Sequence, residues 1–227
     1  MKNEVKFLAV LTAVLLVAFA QFTVLVKTVG AAPIGPNATV VGFSGVNGDF
    51  RDSVGQNETL YKVTQALGYL ALAVAGGFGV FGIWQLVKRK SVKKVDPEIL
   101  LLGAFYIIVI LLYLLFNVAV INYRPVIEPG ETAPEASYPS SHTVLAVCVF
   151  VTAGIALFRY IKNKAAASAV CAGLTVLAIF TVIGRALSGV HWLTDIIGGV
   201  LLSAALVALY YTALRYVRAV SAPKKSK

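Results

Sequence analysis

The sequence predicts an all-α, polytopic membrane protein: six transmembrane helices in a bundle, both termini cytoplasmic, the whole chain one domain. Three observations predict it. Apolar residues make up 59% of the 227 and charged residues only 13%, with a mean hydropathy of +0.83; a soluble fold of this length has too small an interior for so much apolar surface, and a disordered chain would be polar and highly charged. Six apolar runs are long enough, or nearly so, to cross a bilayer. The formal net charge of +10 is sorted between loops rather than spread along the chain.

The runs are Phe7–Val26, Ala66–Val87, Ile99–Ile121, Thr143–Phe158, Ala165–Ile183 and Ile196–Val217, and none carries Asp, Glu, Lys or Arg before its last few residues. A helix rising 1.5 Å per residue needs roughly 20 residues to cross the hydrocarbon core. The fourth run is short, and a start at Ser140 or Ser141 lengthens it by about one turn. Helices are expected because lipid offers the backbone no hydrogen bonds, and the alternation of a barrel strand is absent. The first run follows Lys2 and Lys6 and contains Ala18-Phe19-Ala20, like a cleavable leader, but its continuation through Phe22–Val26 favours a retained helix. The Gly- and Asn-rich stretch from Lys27 to about Gln65 is expected to lie outside, with a short interfacial segment around Gly42–Val46 and Asp49–Arg51. Asn37-Ala38-Thr39 and Asn57-Glu58-Thr59 match a glycosylation pattern too common to carry a function. Cys148 and Cys171 lie within apolar runs, away from any Cys or His at ligand spacing, and read as small buried hydrophobes.

Charge sets the orientation. Lys2 and Lys6, the cluster Lys88, Arg89, Lys90, Lys93 and Lys94, then Arg159, Lys162 and Lys164, and finally Arg215, Arg218, Lys224, Lys225 and Lys227 fall on one side. The other side holds Lys27, Arg51, Lys62, Arg124 and Arg185 against the acids Asp49, Asp52, Glu58, Glu128, Glu131, Glu135 and Asp195. The positive-inside rule makes the first side cytoplasmic. Basic runs such as Lys88–Lys94 are then topology signals, and no nucleic-acid partner is expected.

The polar residues that an inert bundle has no use for gather on the acidic side. Both histidines of the chain, His142 and His191, stand at outer ends of spans, together with Arg124, Arg185 and Asp195. His191 and Asp195 are four apart, one helical turn, so the carboxylate can orient the imidazole and stabilise its charged form. That leaves the other ring nitrogen to act as nucleophile or base. His142 follows Pro139-Ser140-Ser141, a turn and N-cap pattern, and helix N-termini bind anions. Two arginines add planar donors suited to phosphate. Together these describe a phosphate site with a nucleophile and an acid. Zinc held by two His and one Asp is the competing use, opposed by the arginines; a Ser-His-Asp hydrolase is another, without the Gly-x-Ser-x-Gly elbow.

In this order, Arg124-Pro125, Tyr138-Pro139-Ser140-Ser141-His142 and Arg185-Ala186-Leu187-Ser188-Gly189-Val190-His191-Trp192-Leu193-Thr194-Asp195 resemble the three motifs of the type 2 phosphatidic acid phosphatase superfamily, membrane lipid phosphatases related to vanadium haloperoxidases. The resemblance covers roughly residues 45–217. It implies His191 as nucleophile through a phosphohistidine, Asp195 as its orienter and His142 as the acid for the leaving lipid oxygen. It implies Arg124, Arg185 and Ser140 as phosphate ligands, with the Ser141 backbone and hydroxyl beside them, and neither cofactor nor metal. Three positions depart from the family pattern: Asn117 stands where a Lys is usual, Ser141 where Gly is usual and Gly184 where Ser is usual. Lys62 is a candidate replacement for the missing cation.

The expected function is removal of a terminal phosphate from a lipid at the extracytoplasmic face of the cell membrane, with undecaprenyl pyrophosphate as first substrate. Phosphatidylglycerol phosphate or phosphatidic acid are alternatives. A phosphotransferase of the same fold and a non-catalytic lipid-binding protein remain open.

Overall fold

In the computed structural model, which describes residues 2–221, the chain runs through seven helices: α1 (Lys2–Thr28), α2 (Ser44–Val54), α3 (Glu58–Arg89), α4 (Pro97–Val118), α5 (Ser141–Tyr160), α6 (Lys164–Leu187) and α7 (Leu193–Ser221). All but α2 are long and apolar enough to cross a membrane, so the protein is a multi-pass membrane bundle. Lys224, Lys225 and Lys227 lie outside the described residues.

Helix α5 is the axis of the bundle. Of its spanning window 56% is buried inside the protein, against 11% for α3. Composition explains the difference. The buried face of α5 is built largely from small side chains, Ala146, Cys148, Ala153, Gly154 and Ala156, which let neighbouring backbones approach where no hydrophobic drive separates protein from lipid. Cys171 on α6 comes close enough for its Sγ to donate to the Gly154 carbonyl at 3.1 Å. Neither cysteine is bridged. The outward faces of α1, α3 and α4 stay apolar, with Val14, Val80, Ile83 and Leu111 among the exposed residues, as lipid-facing surfaces require.

Helix ends depart from the apolar runs where polar residues serve the connections. Asn57 caps α3, its side-chain oxygen accepting from the Leu60 N–H at 3.0 Å, so α3 starts about two turns before its apolar run. The third run is shorter as a helix than its apolarity suggests. It stops at Val118, and Ala119 leaves helical geometry at φ −89°, ψ 70°, because the chain must turn back over the bundle end. The Trp192 indole N–H donates to the Tyr123 carbonyl at 2.7 Å, and the Arg124 N–H to the Glu135 carbonyl at 2.8 Å. The short segment expected near residues 42–51 is helix α2.

The opposite bundle end closes on itself. Glu98, 5% exposed, accepts from Arg218 Nε at 2.8 Å and pairs with Arg159 at 2.9 Å. Asp96 takes Arg89 at 2.8 Å, Gln85 at 2.9 Å and Tyr160 at 3.0 Å. Arg215 meets Glu4 at 2.6 Å.

Candidate active site

Five elements deliver the site. The 119–140 connection brings Arg124, the first turn of α5 brings His142, the last turn of α6 brings Arg185, the 188–192 connection brings His191, and the first turn of α7 brings Asp195. Arg185 is fully buried, and its Nη2 lies 2.6 Å from His142 Nδ1 and 3.3 Å from the Gln65 side-chain oxygen. A guanidinium only donates, so this ring nitrogen accepts and the proton of a neutral His142 sits on Nε2. The Arg185 guanidinium also stacks over the Tyr61 ring at 5.1 Å. Helix α3 can come this close because it has Gly68 opposite: a Cβ there would sit 2.6 Å from the His142 ring.

His191 and Asp195 face each other with Nδ1 and Oδ2 3.5 Å apart, and neither imidazole nitrogen has a hydrogen-bond partner among the described residues. The carboxylate is held by other groups. Its Oδ2 accepts from the Trp192 N–H at 3.0 Å, the acidic half of a capping box at the start of α7, and its Oδ1 accepts from Asn122 at 3.0 Å. Asp195 is thus fixed beside the ring, with Oδ2 too far from Nδ1 for a short hydrogen bond. Such bonds are often long without substrate and tighten in the reacting complex.

The backbone around His191 is also locked. Gly189 has φ +72°, and a Cβ there would lie 1.8 Å from the Gly55 carbonyl oxygen, so only glycine fits between this connection and the α2–α3 turn. The Asn57 N–H donates to the Ser188 carbonyl at 3.1 Å. Asn47 of α2, fully buried, donates to Thr194 Oγ1 at 3.0 Å and accepts from the Thr194 N–H at 3.2 Å. Asn47, Asn122 and Thr194 support the site and escaped the sequence reading. The only signal for Asn122 is its place two residues before Arg124; Asn47 sits in a stretch whose Gly and Asn content looks like solvated loop.

Buried polar atoms are normally partnered. Here the unpartnered ones concentrate at one place: both nitrogens of His191, Nε and Nη1 of Arg185, Nε of Arg124, and the hydroxyls of Ser137, Ser140 and Thr143. Ser140 is the N-cap of α5, yet its hydroxyl makes no cap bond, so the N–H groups of the first turn are left without a side-chain acceptor. An array of donors around a helix N-terminus is an anion site. Ser141 keeps its hydroxyl 3.5 Å from His142 Nδ1. Burial pushes the His191 imidazole well below its ordinary pKa, helped by the Arg185 and Arg124 cations, so the ring is neutral and has a lone pair to offer.

Arg124 is engaged more heavily than the sequence reading allowed. Glu128 pairs with its Nη1, and Glu135 with its Nη2 at 3.1 Å. Lys62 is no substitute for the missing cation. It pairs with Glu58 at 2.7 Å, and both side chains are more than two-thirds exposed. Asn117 lines the cavity next to the site, but its amide donates to the Tyr113 carbonyl of its own helix at 2.8 Å. Among the described residues, no three His, Cys, Asp or Glu side chains converge as a metal cluster.

A cavity of about 330 Å³ leads from this site between α3, α4 and α5. Arg124, Ser141 and His142 border one part of it, and Leu72, Val109, Leu112, Phe116 and Leu145 line the rest. A polar mouth continuous with an apolar cleft suits a molecule with an anionic head and a hydrocarbon tail.

A family model of the PAP2 superfamily matches residues 100–219. No curated protein matches by sequence. The structure is similar to the crystal structure of a transmembrane PAP2-type phosphatidylglycerolphosphate phosphatase from Bacillus subtilis, with a TM-score of 0.65, 19% identity, and coverage of 94% of this chain and 98% of that one.

Proposed function

The chain belongs to the PAP2 superfamily, and we propose that it hydrolyses the terminal phosphate of a membrane lipid without a metal ion. The observation that carries this reading is the cluster of unpartnered buried polar groups on Arg185, His191 and the start of α5, with Arg124 and His142 at the mouth of an apolar cleft. Arg185, Arg124, the Ser140 hydroxyl and the first N–H groups of α5 hold the non-bridging phosphoryl oxygens and stabilise the charge that develops on them. Neutral His191 attacks phosphorus through Nε2, while Asp195 beside Nδ1 stabilises the imidazolium that results. The bond to the lipid oxygen breaks as His142, protonated on both nitrogens once the phosphate takes the Arg185 guanidinium from its Nδ1, gives that oxygen its Nε2 proton and becomes the neutral ring. Water, deprotonated by His142, then attacks the phosphohistidine and releases inorganic phosphate.

Two observations point to different lipids. The similar crystal structure is named as a phosphatidylglycerolphosphate phosphatase, which favours that phosphomonoester. The scarcity of Lys and Arg in the loops at the site end favours an extracytoplasmic site in the cell membrane, and with it the carrier lipid undecaprenyl pyrophosphate. The test is phosphate release by the full chain in detergent from both lipids and from phosphatidic acid, with and without EDTA. Turnover should survive EDTA, and His191→Ala should lower it by about 10⁴-fold or more. Wild-type-like turnover in that variant sinks the assignment, and lipid binding with no phosphate release supports a binding protein instead.

A further inference from the structure

The two carboxylates on Arg124 are an odd feature for a phosphate ligand. Glu128 and Glu135 pair with its two terminal nitrogens, while Nε is buried and unpartnered. The arrangement is built rather than incidental. Arg124 and Glu128 side chains are only 10% and 19% exposed. The Arg124 N–H is tied to the Glu135 carbonyl at 2.8 Å, and residues 123 and 136 form an antiparallel bridge, which fixes both acids next to the guanidinium. Glu128 is further held by the Tyr61 hydroxyl at 2.8 Å, on the same ring that stacks under Arg185. Glu135 lines the cavity beside Arg124, and Glu128 is paired with the same guanidinium.

Resting on the phosphatase reading above, we propose that Glu128 is a specificity-determining latch: its carboxylate holds Arg124 in competition with the substrate and yields it only to a terminal phosphate carrying close to two charges. The charge arithmetic explains why such a device is useful. A bilayer presents the site with abundant phosphodiester headgroups, each carrying one negative charge. A phosphomonoester carries about −1.5 to −2 near neutral pH. Exchanging carboxylates for a singly charged diester leaves Arg124 with less anionic contact than before, whereas a terminal phosphate restores it. Specificity here comes from repulsion of the wrong ligand as much as attraction of the right one. Tyr61 couples the release to the second arginine, because the ring under Arg185 is the donor that anchors Glu128.

The test is calorimetric titration of inorganic phosphate into the full chain in detergent, for wild type, Glu128→Gln and Glu135→Gln, followed by phosphate release with and without added phosphatidylglycerol vesicles. Glu128→Gln keeps the shape and removes the charge, so its Kd for phosphate should fall roughly tenfold. Its turnover should become inhibitable by phosphatidylglycerol, which leaves the wild type unaffected. Glu135→Gln, on the more exposed carboxylate, should tighten phosphate by about two- to threefold, and decides the matter if the first variant does not fold. Unchanged or weaker phosphate binding in the folded variants overturns the proposal and makes the acids simple supports for Arg124. Phosphate binding is read independently of turnover, so a failed phosphatase assignment is distinguishable from a failed latch.

Discussion

The two ends of the bundle use arginine in opposite ways. At one end Arg159 and Arg218 share Glu98, Arg89 meets Asp96 and Arg215 meets Glu4, so each of these cations has a carboxylate within 3 Å. At the other end Arg185, fully buried, has no carboxylate partner among the described residues and leaves Nε and Nη1 without an acceptor. A buried cation with no counter-charge is costly, and the fold tolerates that cost only where function needs an anion brought in from outside. Arg124 lies between the two cases, buried like Arg185 but partnered like the distant arginines. The comparison teaches that partnered arginines hold helices together, while the open one is left available for the phosphate of the proposed reaction.

Three experiments break or sharpen this contrast. Arg185→Gln should lower turnover by about 10²- to 10³-fold, the usual loss when one charge-stabilising donor is removed from a transition state, with the bundle still folded by circular dichroism. A loss within threefold would mean that the open arginine is not the phosphate ligand. Glu98→Gln at the other end should do the reverse. Arg159 and Arg218 are 46% and 41% exposed, so the lost pairing is screened by water and costs only about 1–2 kcal/mol. Thermal unfolding should therefore move down by a few degrees with turnover changed less than about twofold, and a tenfold loss of turnover would show that the ends are coupled. The third experiment varies pH. His191 titrates well below its ordinary value in the fold, so the unfolded chain takes up that proton first as pH falls through about 6.5. Folding stability should drop by up to about 1.4 kcal/mol per pH unit between that point and the depressed folded value. His191→Asn removes this slope, so wild-type and variant thermal-unfolding curves that stay parallel from about pH 7 to about pH 5 would contradict a neutral, buried ring.

The charged members of the site were legible in the sequence because Arg124, His142, Arg185, His191 and Asp195 interrupt or border long apolar runs, where ionisable groups are rare enough to stand out. The six spans were legible for the same reason. What stayed hidden are residues whose roles depend on contacts across the fold. Asn122 and Asn47 reach α7 across 73 and 147 positions, and an amide in a polar stretch looks no different whether it faces water or a carboxylate. Glu128 read as loop charge until the fold placed it on Arg124. The start of α3 was misjudged because Glu58 through Gln65 are helical but polar, and two of them, Tyr61 and Gln65, touch site residues.

The contribution of α2 and α3 reaches beyond the chemistry. The stretch that matches the PAP2 superfamily begins at residue 100, yet Gly68 makes room for the His142 ring, Gln65 accepts from Arg185, and Asn47 secures the start of α7. The portion recognisable by likeness is therefore not a portable module. Grafted elsewhere, or trimmed to its matching residues, it would carry the reacting groups without the walls that aim them, and evolution is free to redraw those walls, and with them the choice of lipid, without touching a single motif residue.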